Sequence, residues 1–150
     1  MKPMNSLEEI MNFAIGEEQA AVAFYTSLAA QTSSAEMRLV LREIAGEERK
    51  HEARLKQMQA QGIQLTSSPQ VPDLKIADYL VEIKPGPELS YRELLMLAMQ
   101  KEMAAVRMYT ALAEQVADAD LRQTFRQLAQ EEARHKLKFE TEYDNMMVEG

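Results

Sequence analysis

No cysteine occurs among the 150 residues. That excludes disulfides, zinc ribbons, iron–sulfur clusters and thiolate-bound iron, and it fits a cytoplasmic location. Glycine and proline are sparse, five of each, so few turns are encoded and long regular elements are expected. No apolar run approaches about 18 residues, so no transmembrane helix and no membrane partner are expected. The opening Met1-Lys2-Pro3-Met4-Asn5-Ser6 lacks the apolar stretch of a secretory leader. Basic residues are in deficit: 17 Lys and Arg face 24 Asp and Glu, a net charge of −7, which argues against nucleic acid as a partner. The acidic balance serves solubility and lends weak support to cation binding, because carboxylates are the ligands of hard metals.

Ala, Leu, Met, Glu, Gln, Lys and Arg dominate the composition, and these are the strong helix formers. The expected fold class is all-α. Three helix starts carry capping boxes, in which a Ser is followed three residues later by Glu. They are Ser6 to Glu9, Ser33 to Glu36 and Ser90 to Glu93. The spacing predicts a first helix to about Gln31, a second to about Gln61 stopping at Gly62, and a third to about Val116. Asp118 or Asp120 caps a fourth that runs close to Gly150. The first and last connections are a few residues long, so each pair of helices forms an antiparallel hairpin. Between the hairpins lies a connector over 62–89 with Pro69, Pro72, Pro85 and Pro87. That length suits a crossover running along a bundle, with Ile76, Tyr79, Leu80 and Ile83 packing on it.

The chain repeats itself. Residues 14–29 resemble residues 98–113, an offset of 84, and the same offset aligns Arg42, Ala45, Glu47, Glu48 and His51 with Arg126, Ala129, Glu131, Glu132 and His135. The expected organisation is one domain over 1–150, built from related halves at roughly 6–61 and 90–148.

Each helix carries an apolar stripe interrupted at its middle. The first reads Met11, Ala14, Glu18, Ala21, Tyr25, Leu28. The second reads Leu41, Ile44, Glu48, His51, Leu55, Met58. The third reads Leu95, Ala98, Glu102, Ala105, Tyr109, Leu112, and the fourth Leu121, Phe125, Leu128, Glu132, His135, Phe139. Alternating steps of three and four residues make these the seam of a bundle. Four carboxylates buried together would repel one another; protonation or pairing with Lys or Arg could neutralise them, but no Lys or Arg falls on the stripes near the middle. Two divalent cations would balance four carboxylates, and two neutral imidazoles add ligands without charge. One Glu from each of two helices, plus Glu-x-x-His from each of the other two, is the ligand set of two-metal bundles. The i, i+3 spacing puts Glu48 with His51, and Glu132 with His135, on one face. Glu17, Glu47 and Glu131 lie about 100° round their helices and are expected in solvent. A single Glu-x-x-His on a helix is a weak signal that usually marks a surface pair. Here both histidines of the chain occupy it, at repeat-equivalent positions.

Tyr25 and Tyr109 follow Glu18 and Glu102 by seven residues, on the same face. They either donate hydrogen bonds to the ligating carboxylates or pack in the core with their hydroxyls bonded elsewhere. The eleven methionines, among them Met96, Met99, Met103 and Met108, read as core or interface filling.

The segments Glu-Gln-Ala-Ala-Val-Ala-Phe-Tyr (18–25), Ile-Ala-Gly-Glu-Glu-Arg-Lys-His (44–51), Lys-Glu-Met-Ala-Ala-Val-Arg-Met-Tyr (101–109) and Leu-Ala-Gln-Glu-Glu-Ala-Arg-His (128–135) resemble the rubrerythrin-like branch of the ferritin-like superfamily. The resemblance spans essentially the whole chain and implies a ferritin-like four-helix bundle of two hairpins. It also implies two iron ions, with manganese or zinc as substitutes. Glu48 and Glu132 would bridge the metals, Glu18 and His51 would complete one, and Glu102 and His135 the other. It further implies reaction with hydrogen peroxide or dioxygen, as a peroxidase or a ferroxidase in oxidative stress or iron handling, and a homodimer. The alternative is a metal-binding, structural or iron-storage protein without turnover. Two departures matter. No four-cysteine rubredoxin module is present in this sequence, so electrons would come from an external donor, rubredoxin-like or other. Rubrerythrins also carry a further glutamate three residues after the third-helix ligand, where this chain has Ala105; that favours ferroxidase or another oxidase role over peroxidase.

Overall fold

The computed structural model describes residues 7–61 and 89–149. Within them the chain forms four helices, α1 (Leu7–Gln31), α2 (Ala35–Ala60), α3 (Tyr91–Gln115) and α4 (Ala119–Glu149), and the described residues contain no strand. The connector expected over 62–89, and the first capping box at Ser6, lie outside the described residues apart from Leu89.

The starts of the other three helices are set by side chains. Ser34, in extended backbone at φ −80° and ψ 116°, caps α2 and accepts from the Met37 amide at 3.1 Å. This shifts the expected cap by one residue, from Ser33 to Ser34. The Ser34 amide itself donates to Thr32 Oγ1 at 3.2 Å. That contact ties the link to Thr32 and leaves Ser34 as the residue before the first helical one. At α3 the expected capping box forms in full: Ser90 Oγ accepts from the Glu93 amide at 3.1 Å, and the Ser90 amide and hydroxyl reach back to Glu93 Oε1 at 3.4 and 2.9 Å. Asp118, rather than Asp120, caps α4 through Oδ1, which accepts from the Leu121 amide at 2.8 Å. Such caps are each worth about 1 kcal/mol.

The helices group into two compact units, α1 with α2 and α3 with α4. In the first, α1 and α2 pack along each other as an antiparallel pair. Asn12 meets Gln59, Gln19 meets Glu52, and the Ala29 carbonyl meets Arg38. The Arg38 guanidinium closes the hairpin by donating to the carbonyls of Ala29 (3.3 Å) and Thr32 (2.9 Å). Those carbonyls stand at the C-terminal end of α1, which has no basic residue in its own last turn, so Arg38 supplies the cation that the helix dipole favours there. In the second unit Tyr91 Oη donates to Glu142 at 2.9 Å, and Tyr109 stacks on Phe125 with ring centroids 5.9 Å apart. These contacts likewise run antiparallel.

The buried positions follow the sequence stripes. Met11, Ala14, Tyr25, Leu28, Leu41, Ile44, Leu55, Leu95, Ala98, Tyr109, Leu112, Leu121, Phe125, Leu128 and Phe139 are all buried. Met58 and Ala105 are only half-buried. Each large aliphatic or aromatic group removed from water adds about 1.5–3 kcal/mol.

Candidate metal centre

Four glutamates and two histidines interrupt this apolar interior, and all six are buried. Glu48, Glu102 and Glu132 are 1% exposed, His135 2%, Glu18 3% and His51 6%. A carboxylate at such depth is costly unless opposite charge or hydrogen bonds compensate it.

The residues form one triad in each hairpin. In the first, α1 places Glu18 and α2 places Glu48 and His51. His51 Nδ1 lies 3.6 Å from Glu18 Oε1 and 3.7 Å from Glu48 Oε1. In the second, α3 places Glu102 and α4 places Glu132 and His135. His135 Nδ1 lies 3.5 Å from Glu102 Oε1 and 3.9 Å from Glu132 Oε1. These separations exceed the roughly 2.7–3.2 Å of an N–H···O hydrogen bond. They are the distances of donor atoms converging on a common point, and within each triad every residue offers an atom within 4.8 Å of the others. Helical geometry produces this directly: an i, i+3 pair shares a face, and the antiparallel partner brings its glutamate to the same level.

The donor set fits a divalent transition metal. Each triad supplies two carboxylates and one imidazole nitrogen, ligands that suit iron, manganese or zinc. The same nitrogen, Nδ1, faces the carboxylates in both halves. Their apolar neighbours on the same stripes, Ile44 and Leu55 around the first triad and Leu128 and Phe139 around the second, are 0% exposed. They stand about one helical turn to either side of the ligands.

Tyr25 and Tyr109 are fully buried two turns beyond Glu18 and Glu102. The Tyr25 ring meets Phe24 edge-on at 5.0 Å, and the Tyr109 ring stacks on Phe125. Packing thus fixes both rings. Glu17, Glu47 and Glu131 are half-buried rather than solvated as their 100° offset suggested. The flank of a helix in a hairpin lies partly under the neighbouring helix, so one step round from the seam does not reach open water. The stripe pattern could not show this, because it records which residues face the seam and not how wide the covered sector is.

A family model described as ferritin-like domain matches residues 7–141. Among solved structures, a protein of Thermotoga maritima described as a ferritin-like diiron-carboxylate protein is similar at a TM-score of 0.77. It is 20% identical, over 96% of this chain and 97% of that one. A hypothetical protein of Pyrococcus furiosus is similar at a TM-score of 0.72 and 28% identity, over 95% of this chain and 91% of its own. A conserved hypothetical protein of Mycobacterium tuberculosis is similar at 0.67 and 16% identity, over 91% and 89%. No curated protein matches the sequence.

Proposed function

Since the chain belongs to the ferritin-like domain family, we propose that its two buried triads together hold two iron ions and that the protein is a di-iron redox protein acting on hydrogen peroxide or dioxygen. Glu18, Glu48 and His51 would hold one iron and Glu102, Glu132 and His135 the other. The observation that carries this reading is the duplicated triad. The same two carboxylates and one imidazole recur 84 residues apart, buried, with His Nδ1 at 3.5–3.9 Å from carboxylate oxygens in both copies. The likeness to a protein described as diiron-carboxylate supports the choice of iron.

When bound, the irons supply reversible ferrous–ferric change, which lets peroxide or dioxygen accept electrons. The chain's own residues do the rest. The four carboxylates offset the charge of two divalent ions, so the interior need not carry net charge. The histidines add neutral donors whose Nδ1 atoms already face the carboxylates. The apolar stripes keep bulk water from the ligand atoms. Tyr25 Oη and Tyr109 Oη would hold a proton against the ligating carboxylates and so fix their orientation. Ala105, where rubrerythrins have a further glutamate, leaves six ligands in a symmetric set, which favours oxidase or ferroxidase turnover over peroxidase. Electrons for repeated turnover would come from an external donor, another protein or a small reductant, and the working form would be a homodimer.

Metal analysis with the visible spectrum, followed by stopped-flow mixing of the Fe(II)-loaded protein with peroxide or dioxygen, tests the proposal. Two irons per chain and oxidation faster than that of free Fe(II) are expected. Oxidation no faster than free iron would reduce the protein to a metal-binding one.

A further inference from the structure

The two hairpins agree at their triads and differ on one flank. In the first hairpin that flank is a polar clasp. Gln59 Nε2 donates to Asn12 Oδ1 at 2.7 Å, Gln19 Nε2 donates to Glu52 Oε2 at 2.9 Å, and Lys56 Nζ meets the same oxygen at 2.7 Å. At an offset of 84, Asn12 becomes Met96, Ile15 becomes Met99 and Gln19 becomes Met103. The Glu52–Lys56 pair becomes Lys136–Glu140, with its charges exchanged and its partners 3.0 Å apart. In place of the clasp stands a groove of about 260 Å³ between α3 and α4, lined by Met96, Met99, Gln100, Met103, Lys136 and Glu140.

Core filling does not explain Met96 and Met103. Met96 and Met103 are 39% and 40% exposed, and the other half of the repeat makes their positions polar. Their spacing is three and then four residues, so they form one stripe in which Met99 neighbours both others, at about 5–6 Å between Cβ atoms. Methionine is unbranched with three rotatable bonds, so three sulfurs so placed can converge. Leucine would cover the surface equally well; what methionine adds is a soft, neutral thioether ligand, which selects Cu(I) over hard and borderline cations.

We propose that Met96, Met99 and Met103 form a three-thioether site for Cu(I), separate from the Glu/His centre and independent of what that centre does. The ligands carry no charge, so the site takes a monovalent ion without needing a carboxylate. Glu140, beside Lys136, offsets the ammonium at the groove's edge.

The test is anaerobic titration of the full chain with Cu(I) against a chromogenic chelator, for the wild type and M96L/M99L/M103L. Leucine keeps the volume and the fold. The triple variant should lose about tenfold or more in Cu(I) affinity, and X-ray absorption of the wild-type complex should show sulfur ligation. In methyl NMR of the wild type, Ag(I) should shift the methyl groups of these three residues ahead of buried Met11, Met37 and Met108. Unchanged affinity in the triple variant, nitrogen or oxygen ligation of the copper, or equal Ag(I) shifts at all methionines would each overturn the site. None of these readouts depends on iron or on turnover.

Discussion

His51 turns Nδ1 toward Glu18 Oε1 at 3.6 Å, across the α1–α2 hairpin. The ring therefore joins two helices and not merely two positions of its own, and His135 does the same with Glu102 at 3.5 Å. Metal capacity should fail when either side of such a pair is lost. Glu48→Ala and His135→Ala should each lower metal content below the wild-type stoichiometry. Elemental analysis of the purified variants checks this, and full stoichiometry in both would refute the six-ligand assignment.

Stability should depend on the same ions. The two buried carboxylates of each hairpin repel one another when no cation lies between them, and a ligand present at about 100 times its Kd adds about 2.7 kcal/mol to the folded state. Stripping metal with a chelator should lower Tm by about 5–10 °C for a chain of this size. Calorimetry before and after chelation, and after Fe(II) or Mn(II) is restored, measures it.

Tyr25→Phe and Tyr109→Phe should leave metal content unchanged and slow oxidation of the loaded protein, because each removes only a hydroxyl from a packed ring. Equal rates would show that both tyrosines serve packing alone.

Arg38→Ala should destabilise the first hairpin. The guanidinium donates to two carbonyls at the end of α1, and hydrogen bonds to a charged group contribute about 1.5–3 kcal/mol. A fall in the urea midpoint without a change in slope is the expected readout.

Glu52 gives a pH dependence outside the metal centre. Hydrogen bonds from Lys56 and then Gln19 hold its carboxyl below the ordinary value of 4.5. A depressed pKa adds stability that is present above the unfolded value and lost as pH falls through the folded one. The effect is therefore complete above about pH 5 and fades in the acid range below 4.5. In Gln19→Ala the Glu52 carboxyl should titrate closer to its ordinary value, as followed by carboxyl-carbon NMR.

Much of this architecture was legible in the order of residues. The Ser90–Glu93 box and the stripes through Glu18, Glu48, Glu102 and Glu132 depend on local spacing, and local spacing survives into three dimensions. What sequence could not resolve depended on neighbours. Ser34 displaced Ser33 as a cap because Thr32 bonds its amide. Glu17, Glu47 and Glu131 are half-covered because an adjacent helix shelters that flank. The groove at Met99 was hidden because one repeat's methionines look like ordinary filling until set beside the Gln19–Glu52 clasp of the other.

Each triad is complete inside one hairpin, with Glu18 and His51 separated by 33 residues and Glu102 and His135 by the same. Contacts of such short reach form early, because closing a small loop costs little chain entropy and helical hairpins of low contact order fold in microseconds to milliseconds. The three donors of each half are thus gathered by nearby segments alone, at little cost in chain entropy.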